Sequence, residues 1–479
     1  MALLKEIFRT LHIFWVLGRP GLAWGLYRDL GRARLTNQDC GCEADRRIQH
    51  RAVRLRAALE ELGPTFVKLG QMLSRRPDLI PRMYIEELEK LQDRAAPVSF
   101  RAIKRQLVAR CICGHRMEHE QHDPHCLHCL PLETVFDDFD KVPVAAASLA
   151  QVYRAVFQGR AVAVKVLRPG VLDVINTDLA IIRRLKRLLL WGLGLTGSID
   201  PQEFFNEFQR RLHAEVDLKA EALNIDRFRA TRDPEGRITA PEVFWQFRRS
   251  DLLVMEFIEG KAIAHAMKLG RPKRQKLAQV LVRDYLKQIF IDNFFHADPH
   301  PGNLFLDKHD RLVYLDFGSV GQLDRTTRRE MHQLFRAMVD ADPDRAVQAV
   351  LRLGQTGSSR VDPQGLWQEL DRIIYLCRSR PGSRWSDELI EATRRSGIRL
   401  PRSALALAKG LLLVESVALE LDPEFSFFDE LQEMAPQLGL HMVMNELTRE
   451  LPRLLEDYVE LMRGLPELLR RTYPAEHGG

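Results

Sequence analysis

An α+β fold is predicted for this chain, with a helical N-terminal extension, a small β-rich lobe and a larger helical lobe in that order. Two observations carry the prediction. Strand-like runs rich in β-branched residues are concentrated at 151–157, 161–167 and 252–258, while helical spacing prevails elsewhere. The 479 residues, 45% hydrophobic and 28% charged, also suffice to bury full-sized cores in two or three domains.

Residues 1–50 form an apolar and basic region with a helical pattern. Arg19 and Pro20 interrupt its apolar run and no small-residue cleavage site follows, so neither a signal peptide nor a spanning helix is expected. A helical extension covers 51–140. In it Leu55, Leu59, Leu62, Phe66, Leu69 and Leu73 recur at helical period, with Gly63-Pro64 as a break and a further helix over 84–93. The β-rich lobe spans 141–258. Its first two strands form a hairpin turning at Gly159, helices follow over 172–195 and 201–229, and strands return at 243–245 and 252–258. The helical lobe, 259–445, is interrupted by short strands near 304–306 and 312–315. Its most apolar stretch, 404–421, carries Lys409, Glu415 and Glu420, and therefore reads as a buried helix of a soluble domain. Residues 446–479 form an amphipathic, basic tail.

The formal net charge is only +6, with Lys and Arg interleaved with Asp and Glu, so nucleic acid is not an expected partner. A mildly basic chain is compatible with an anionic membrane surface. The expected location is cytoplasmic, with any membrane contact peripheral and on the inner face. Seven cysteines are too few for a disulfide scaffold. Four of them, Cys111, Cys113, Cys126 and Cys129, share a histidine-rich insert at 111–129, and this donor set suits a structural zinc.

The densest chemistry lies in HADPHPGN (His296–Asn303) and the DFG turn at Asp316–Gly318. Phosphoryl transfer needs a carboxylate that orients the acceptor and oxygen ligands for the magnesium that bridges the phosphates. The kinase pattern supplies an Asp, an Asn on the same loop and the Asp of a DFG turn. Asp298, Asn303 and Asp316 occur in that order and spacing. A short hairpin between loop and turn would hold both carboxylates at one cleft. Ligation of a hydrolytic metal by His296, Asp298 and His300 is a different reading, but it leaves Asn303 and Asp316 without a role.

Lys165 ends a VAVK run on a predicted strand, where a kinase lysine contacts the nucleotide phosphates and pairs with a helix carboxylate. Glu215 and Glu221 both lie on the helical stretch that could supply that carboxylate, and the sequence does not choose between them. The loop expected to cover the nucleotide is alanine-rich, Ala145, Ala146, Ala147 and Ser148, where a kinase has glycines. Alanine restricts φ, so this loop is expected to be stiffer.

Together these segments resemble the UbiB-type family of atypical kinases. The resemblance rests on KxGQ (Lys68, Gly70, Gln71), the alanine-rich loop and VAVK. It also rests on ExD with the following EAxN (Glu215, Asp217, Glu221, Asn224), MEFIEG (Met255–Gly260), HADPHPGN and DFG, all between about Arg51 and Gln322. It implies a bilobal protein-kinase-like fold with a helical N-terminal extension. It also implies an ATP-dependent atypical kinase or ATPase that uses magnesium and supports ubiquinone or another prenyl-quinone pathway. In that family pattern Asp298, Lys165 and Lys68 would be catalytic, and Asn303 and Asp316 would bind magnesium. Ala145 to Ser148, Lys165, Glu215, Asp217, Glu221, Gln71 and Glu256 would complete the nucleotide site. The KxGQ extension would fold over the active site, and a second cation there would restrain transfer to a protein hydroxyl, so ATP hydrolysis is favoured over protein phosphorylation. Prenyl-lipid or quinone intermediates and other quinone-biosynthesis proteins are the partners it implies.

Two features depart from the family pattern. Some bacterial relatives end in paired membrane-spanning helices, whereas residues 451–473 here are amphipathic, and the Cys/His insert is an addition. The alternatives are a small-molecule kinase of the aminoglycoside or choline kinase type and a nucleotide- and lipid-binding scaffold. The KxGQ, alanine-rich and ExD elements argue against the first, and the intact lysine and metal positions argue against the second.

Overall fold

The structure is a computed structural model that describes residues 2–19, 43–74, 80–91, 97–108, 132–192, 201–232, 236–247, 249–356, 361–379 and 382–440. The Cys/His insert with Cys111, Cys113, Cys126 and Cys129, and the tail 446–479, lie outside the described residues. The fold is α+β, with a helical N-terminal region. The chain divides into two compact units, one of Met1–Arg227 with Pro241–Ile258, the other of Phe228–Ala240 with Glu259–Gly479.

In the first unit, α1 (Ala2–Leu17), α2 (Glu43–Leu62), α3 (Pro64–Ser74), α4 (Arg82–Leu88), α5 (Phe100–Val108) and the single turn α6 (Leu132–Val135) precede the sheet. Gly63, at φ +91°, separates α2 from α3, and of the helical repeat Leu55, Leu59, Leu62, Phe66 and Leu73 are buried whereas Leu69 is half-buried. Strands β1 (Asp138–Phe139), β2 (Ala145–Ala146), β3 (Ala150–Phe157), β4 (Arg160–Leu167) and, later in the chain, β6 (Leu252–Glu256) form an antiparallel sheet ordered β1-β3-β4-β6, with β2 also on β3. Gln158 and Gly159 turn the β3–β4 hairpin, both at positive φ, the geometry that matches strand twist. Along β3, Tyr153, Ala155 and Phe157 alternate into a core shared with Phe136, Phe244 and Phe247.

Helices α7 (Val171–Gly192), α8 (Pro201–Glu215) and α9 (Leu218–Ala230) follow β4. The expected single helix over 201–229 is therefore two. Leu218 N–H leaves the helix to bond Ser250 O, and Asp217 restarts it by accepting from Ala220 N at 3.0 Å, an N-cap. The strand expected at 243–245 is reduced to a bridge between Val243 and Met255, because Trp245–Phe247 turns as 3-10 helix.

The second unit holds a four-stranded sheet ordered β5-β10-β9-β7, built from β5 (Ile238–Thr239), β7 (Gly260–Ala262), β9 (Leu304–Asp307) and β10 (Leu312–Tyr314). A two-stranded sheet pairs β8 (Phe295–His296) with β11 (Val320–Gly321). Around them lie α10 (Arg271–Phe290), α11 (Arg325–Asp340), α12 (Pro343–Leu353), α13 (Pro363–Ser379), α14 (Trp385–Arg395) and α15 (Arg402–Leu421), a further helix over 427–440, and the small ladder of β12 (Gln355–Thr356) with β13 (Ile398–Arg399). Asp324 and Asp342 cap α11 and α12. No helix among the described residues is long and apolar enough to cross a membrane.

Candidate functional site

In the first unit, β4 is paired on both sides, Lys165 opposite Val152 and Leu253. Val162, Val164 and Val166 take the core face, which leaves Lys165 on the other. Its ammonium donates to both carboxylate oxygens of Glu221, at 2.7 and 2.9 Å, and Glu221 is buried. Of the two candidate partners, Glu221 is the one that holds Lys165. Glu215 instead pairs with Lys68 at 2.6 Å, joining α3 to the end of α8. Asp217, between them, caps the helix that carries Glu221.

The KxGQ segment packs tightly. A Cβ on Gly70 would lie 2.3 Å from a Leu91 methyl and 2.8 Å from a Leu59 methyl, so only glycine fits without a shift. Gln71 donates its amide to Leu91 O at 3.0 Å. The alanine-rich loop is a pinned turn. Ala145 and Ala146 pair with Val152 and Gln151, Ala147 N–H donates to Ala150 O, and Arg168 Nε donates to Ala147 O at 2.8 Å. Arg168 had no role in the sequence reading, since only the folded hairpin shows what it touches. Ser148 is buried and, with Arg56, Lys90, Arg168, Val67 and Val171, lines an open cavity of about 870 Å³. Glu256 ends β6, where its backbone N–H donates to Glu242 O and its carboxylate accepts from Glu242 N.

In the second unit, the β9–β10 hairpin carries the chemistry. Leu304 pairs with Tyr314, and Leu315 N–H donates to Asn303 O at 2.8 Å, so Asn303 and Asp316 emerge at the same end. His300 caps the turn Pro301–Asn303 by accepting from Gly302 N, and Asn303 Nδ2 donates to Asp298 O at 3.1 Å. Asp316 adopts φ +34°, an uncommon conformation for a residue with a side chain, and its carboxylate accepts from Gly318 N.

His296 ties loop to turn. Its Nε2 lies 2.7 Å from Asp316 O, and its Nδ1 accepts from Asp298 N at 3.2 Å. A carbonyl only accepts, so Nε2 bears the proton and the ring is neutral. Full burial acts in the same direction and lowers its pKa from the ordinary histidine value. Phe317 is buried against the rings of His296 and Phe228.

Asp298 Oδ1 accepts from Lys409 Nζ at 2.6 Å. Lys409 is a site residue that the sequence did not point to. It stands 111 positions downstream on α15, and its only signal was a charge inside an apolar helix.

A model of the ABC1 atypical kinase-like domain matches residues 117–350. The chain is 31% identical over 385 residues to an uncharacterized protein in the hydrogenase 1 5′ region of Clostridium pasteurianum, covering 79% of this chain and 69% of that one. Its fold is similar to the solved complex of Rv3197 with erythromycin from Mycobacterium tuberculosis. The TM-score there is 0.56 at 22% identity, over 81% of this chain and 96% of that chain.

Proposed function

The chain belongs to the ABC1/UbiB family of atypical kinase-like proteins, and on that premise we propose that it binds Mg-ATP and hydrolyses it in support of prenyl-quinone (ubiquinone) biosynthesis. The observation that carries the reading is the pair of hydrogen bonds made by His296, which links the loop of Asp298 and Asn303 to the turn of Asp316. Magnesium takes few protein ligands and completes its shell with phosphate and water oxygens. One carboxylate and one carboxamide at the end of a single hairpin fit that demand, and Asp316 and Asn303 would hold the ion. Bound there, magnesium would draw charge from the phosphate oxygens.

Lys165, oriented by Glu221, would contact the phosphates, and the pinned turn from Ala145 to Ser148 would cover them with restricted backbone freedom. Glu256 would mark the adenine edge. Asp298 would orient the acceptor and take its proton. Through the Lys68–Glu215 pair the KxGQ helix is braced against the ExD segment. That bracing supports water, rather than a protein side chain, as the acceptor. The cavity beside Ser148, lined by valines and prolines together with Arg56, Lys90, Arg168 and Glu60, would offer an apolar ring such as that of a quinone precursor a place with polar groups around it. The apolar face of α1, with Phe8, Leu11 and Trp15 exposed, would give peripheral contact with the inner face of a membrane. Structural zinc on Cys111, Cys113, Cys126 and Cys129 remains part of the proposal.

The test is Mg-ATP turnover by the purified protein with and without phosphatidylglycerol vesicles. Asp316→Asn is expected to abolish both turnover and magnesium-dependent nucleotide binding. Unchanged nucleotide binding by that variant would refute the assigned role. A deletion strain is expected to lose quinone and accumulate a prenylated precursor.

A further inference from the structure

Helix α15 is apolar on the side where Ala404, Leu407, Leu411 and Val414 are buried, and it presses that side onto the loop that carries Asp298. Its approach there is unusually close. A Cβ on Gly410 would lie 1.7 Å from Tyr285 Oη and 3.3 Å from His296 O. The absence of a side chain at 410 admits the Tyr285 hydroxyl, which donates to His296 O at 3.0 Å. Burial pushes the Tyr285 phenol well above its ordinary value, so it remains a donor. The His296 carbonyl, two residues before Asp298, is thereby held by α10 close beside Gly410 of α15. The residue next to Gly410 is Lys409, whose ammonium reaches Asp298 Oδ1 at 2.6 Å.

We propose that Lys409 is a positioning residue for the transfer step, acting through Asp298; the proposal rests on the Mg-ATP reading above. A carboxylate on a loop can rotate about its Cβ–Cγ bond and exchange its two oxygens. Holding Oδ1 on Lys409 restrains that rotation and sets the plane of the carboxylate. Asp298 then takes the proton of the attacking water, as the water oxygen bonds the γ-phosphorus and the bond from that phosphorus to the departing ADP oxygen breaks. A misdirected acceptor group costs about 10²-fold in rate even when binding is intact. Lys409 thus serves Asp298 from a helix that is remote in sequence.

The experiment compares Lys409→Met, Lys409→Arg, Asp298→Asn and the double variant K409M/D298N in the full-length protein. Lys409→Met is expected to lower kcat about 10²-fold, with the Kd for Mg-ATP within about twofold of wild type, and Lys409→Arg to recover most of the loss because it keeps a cationic donor. In the Asp298→Asn background, Lys409→Met is expected to change turnover no further, since it acts through the same group. A second readout needs no nucleotide: in thermal melts of the ligand-free protein, the Tm losses of the two single variants should fail to add. Wild-type turnover by Lys409→Met, or fully additive losses in both measurements, would overturn the assignment while leaving the Mg-ATP reading intact. Failure of the wild-type protein to bind Mg-ATP would overturn both together.

Discussion

Glu415 is a buried carboxyl whose hydrogen-bond donors among the described residues are neutral. It is buried in α15, accepts from Trp385 N at 3.1 Å and from the Ser386 hydroxyl, and burial raises its pKa to about 7 despite those bonds. In the unfolded chain the same group titrates near the ordinary glutamate value, so between that value and about 7 the folded state binds the extra proton. Its contribution to stability is therefore greatest below the unfolded pKa and is lost as pH rises through about 7. Glu415→Gln removes the charge and retains an acceptor for Trp385 N. It is expected to stabilise the protein by about 1–3 kcal/mol at pH 8 and by much less near pH 5, as read from urea unfolding at the two values. Equal effects at both pH values would show that Glu415 is not the titrating group. Among individual residues, Asp298, Asn303 and Asp316 were legible in the sequence because one loop, one hairpin and one turn contain them all. Lys409 was not, because no local pattern records that α15 docks on that loop.

At the level of elements, the break between α8 and α9 shows what periodicity misses. Apolar spacing runs through 201–229 without interruption, and the sequence shows Asp217 only as the second acid of the ExD pair, not as a helix start. The backbone is diverted there by a partner distant in sequence, Ser250 O, and Asp217 is used to start the next helix. The choice between Glu215 and Glu221 depended on that break, since it turns the first toward Lys68 and the second toward Lys165. Asp217→Ala is expected to cost about 1 kcal/mol of stability, the usual value of a lost cap. It should also weaken nucleotide binding by loosening Glu221, and Asp217→Asn should restore both, since asparagine caps equally well. Failure of the asparagine variant to restore stability would mean that the carboxylate does more than cap. The β3–β4 hairpin, by contrast, was read correctly because everything that makes it is local: alternating burial and a Gln158-Gly159 turn.

For the whole molecule, the Mg-ATP reading makes a demand that no single element can meet. Lys165 belongs to one compact unit, and Asn303 and Asp316 to the other. If one nucleotide engages all three, its binding must stabilise both units, and by linkage the gain appears wherever contacts are made: at a hundred times Kd it amounts to about 2.7 kcal/mol. Hydrogen exchange resolves where that gain falls. Saturating Mg-ATP is expected to slow exchange in 145–167 and in 296–318 alike. Asp316→Asn should lose both effects, since Lys165 alone would hold the phosphates too weakly. EDTA should act as Asp316→Asn does, because it removes the ion that Asn303 and Asp316 would share. Protection confined to one of the two segments would mean that Lys165 and Asp316 do not serve the same ligand. The resemblance of the motifs would then have outrun the chemistry of this chain.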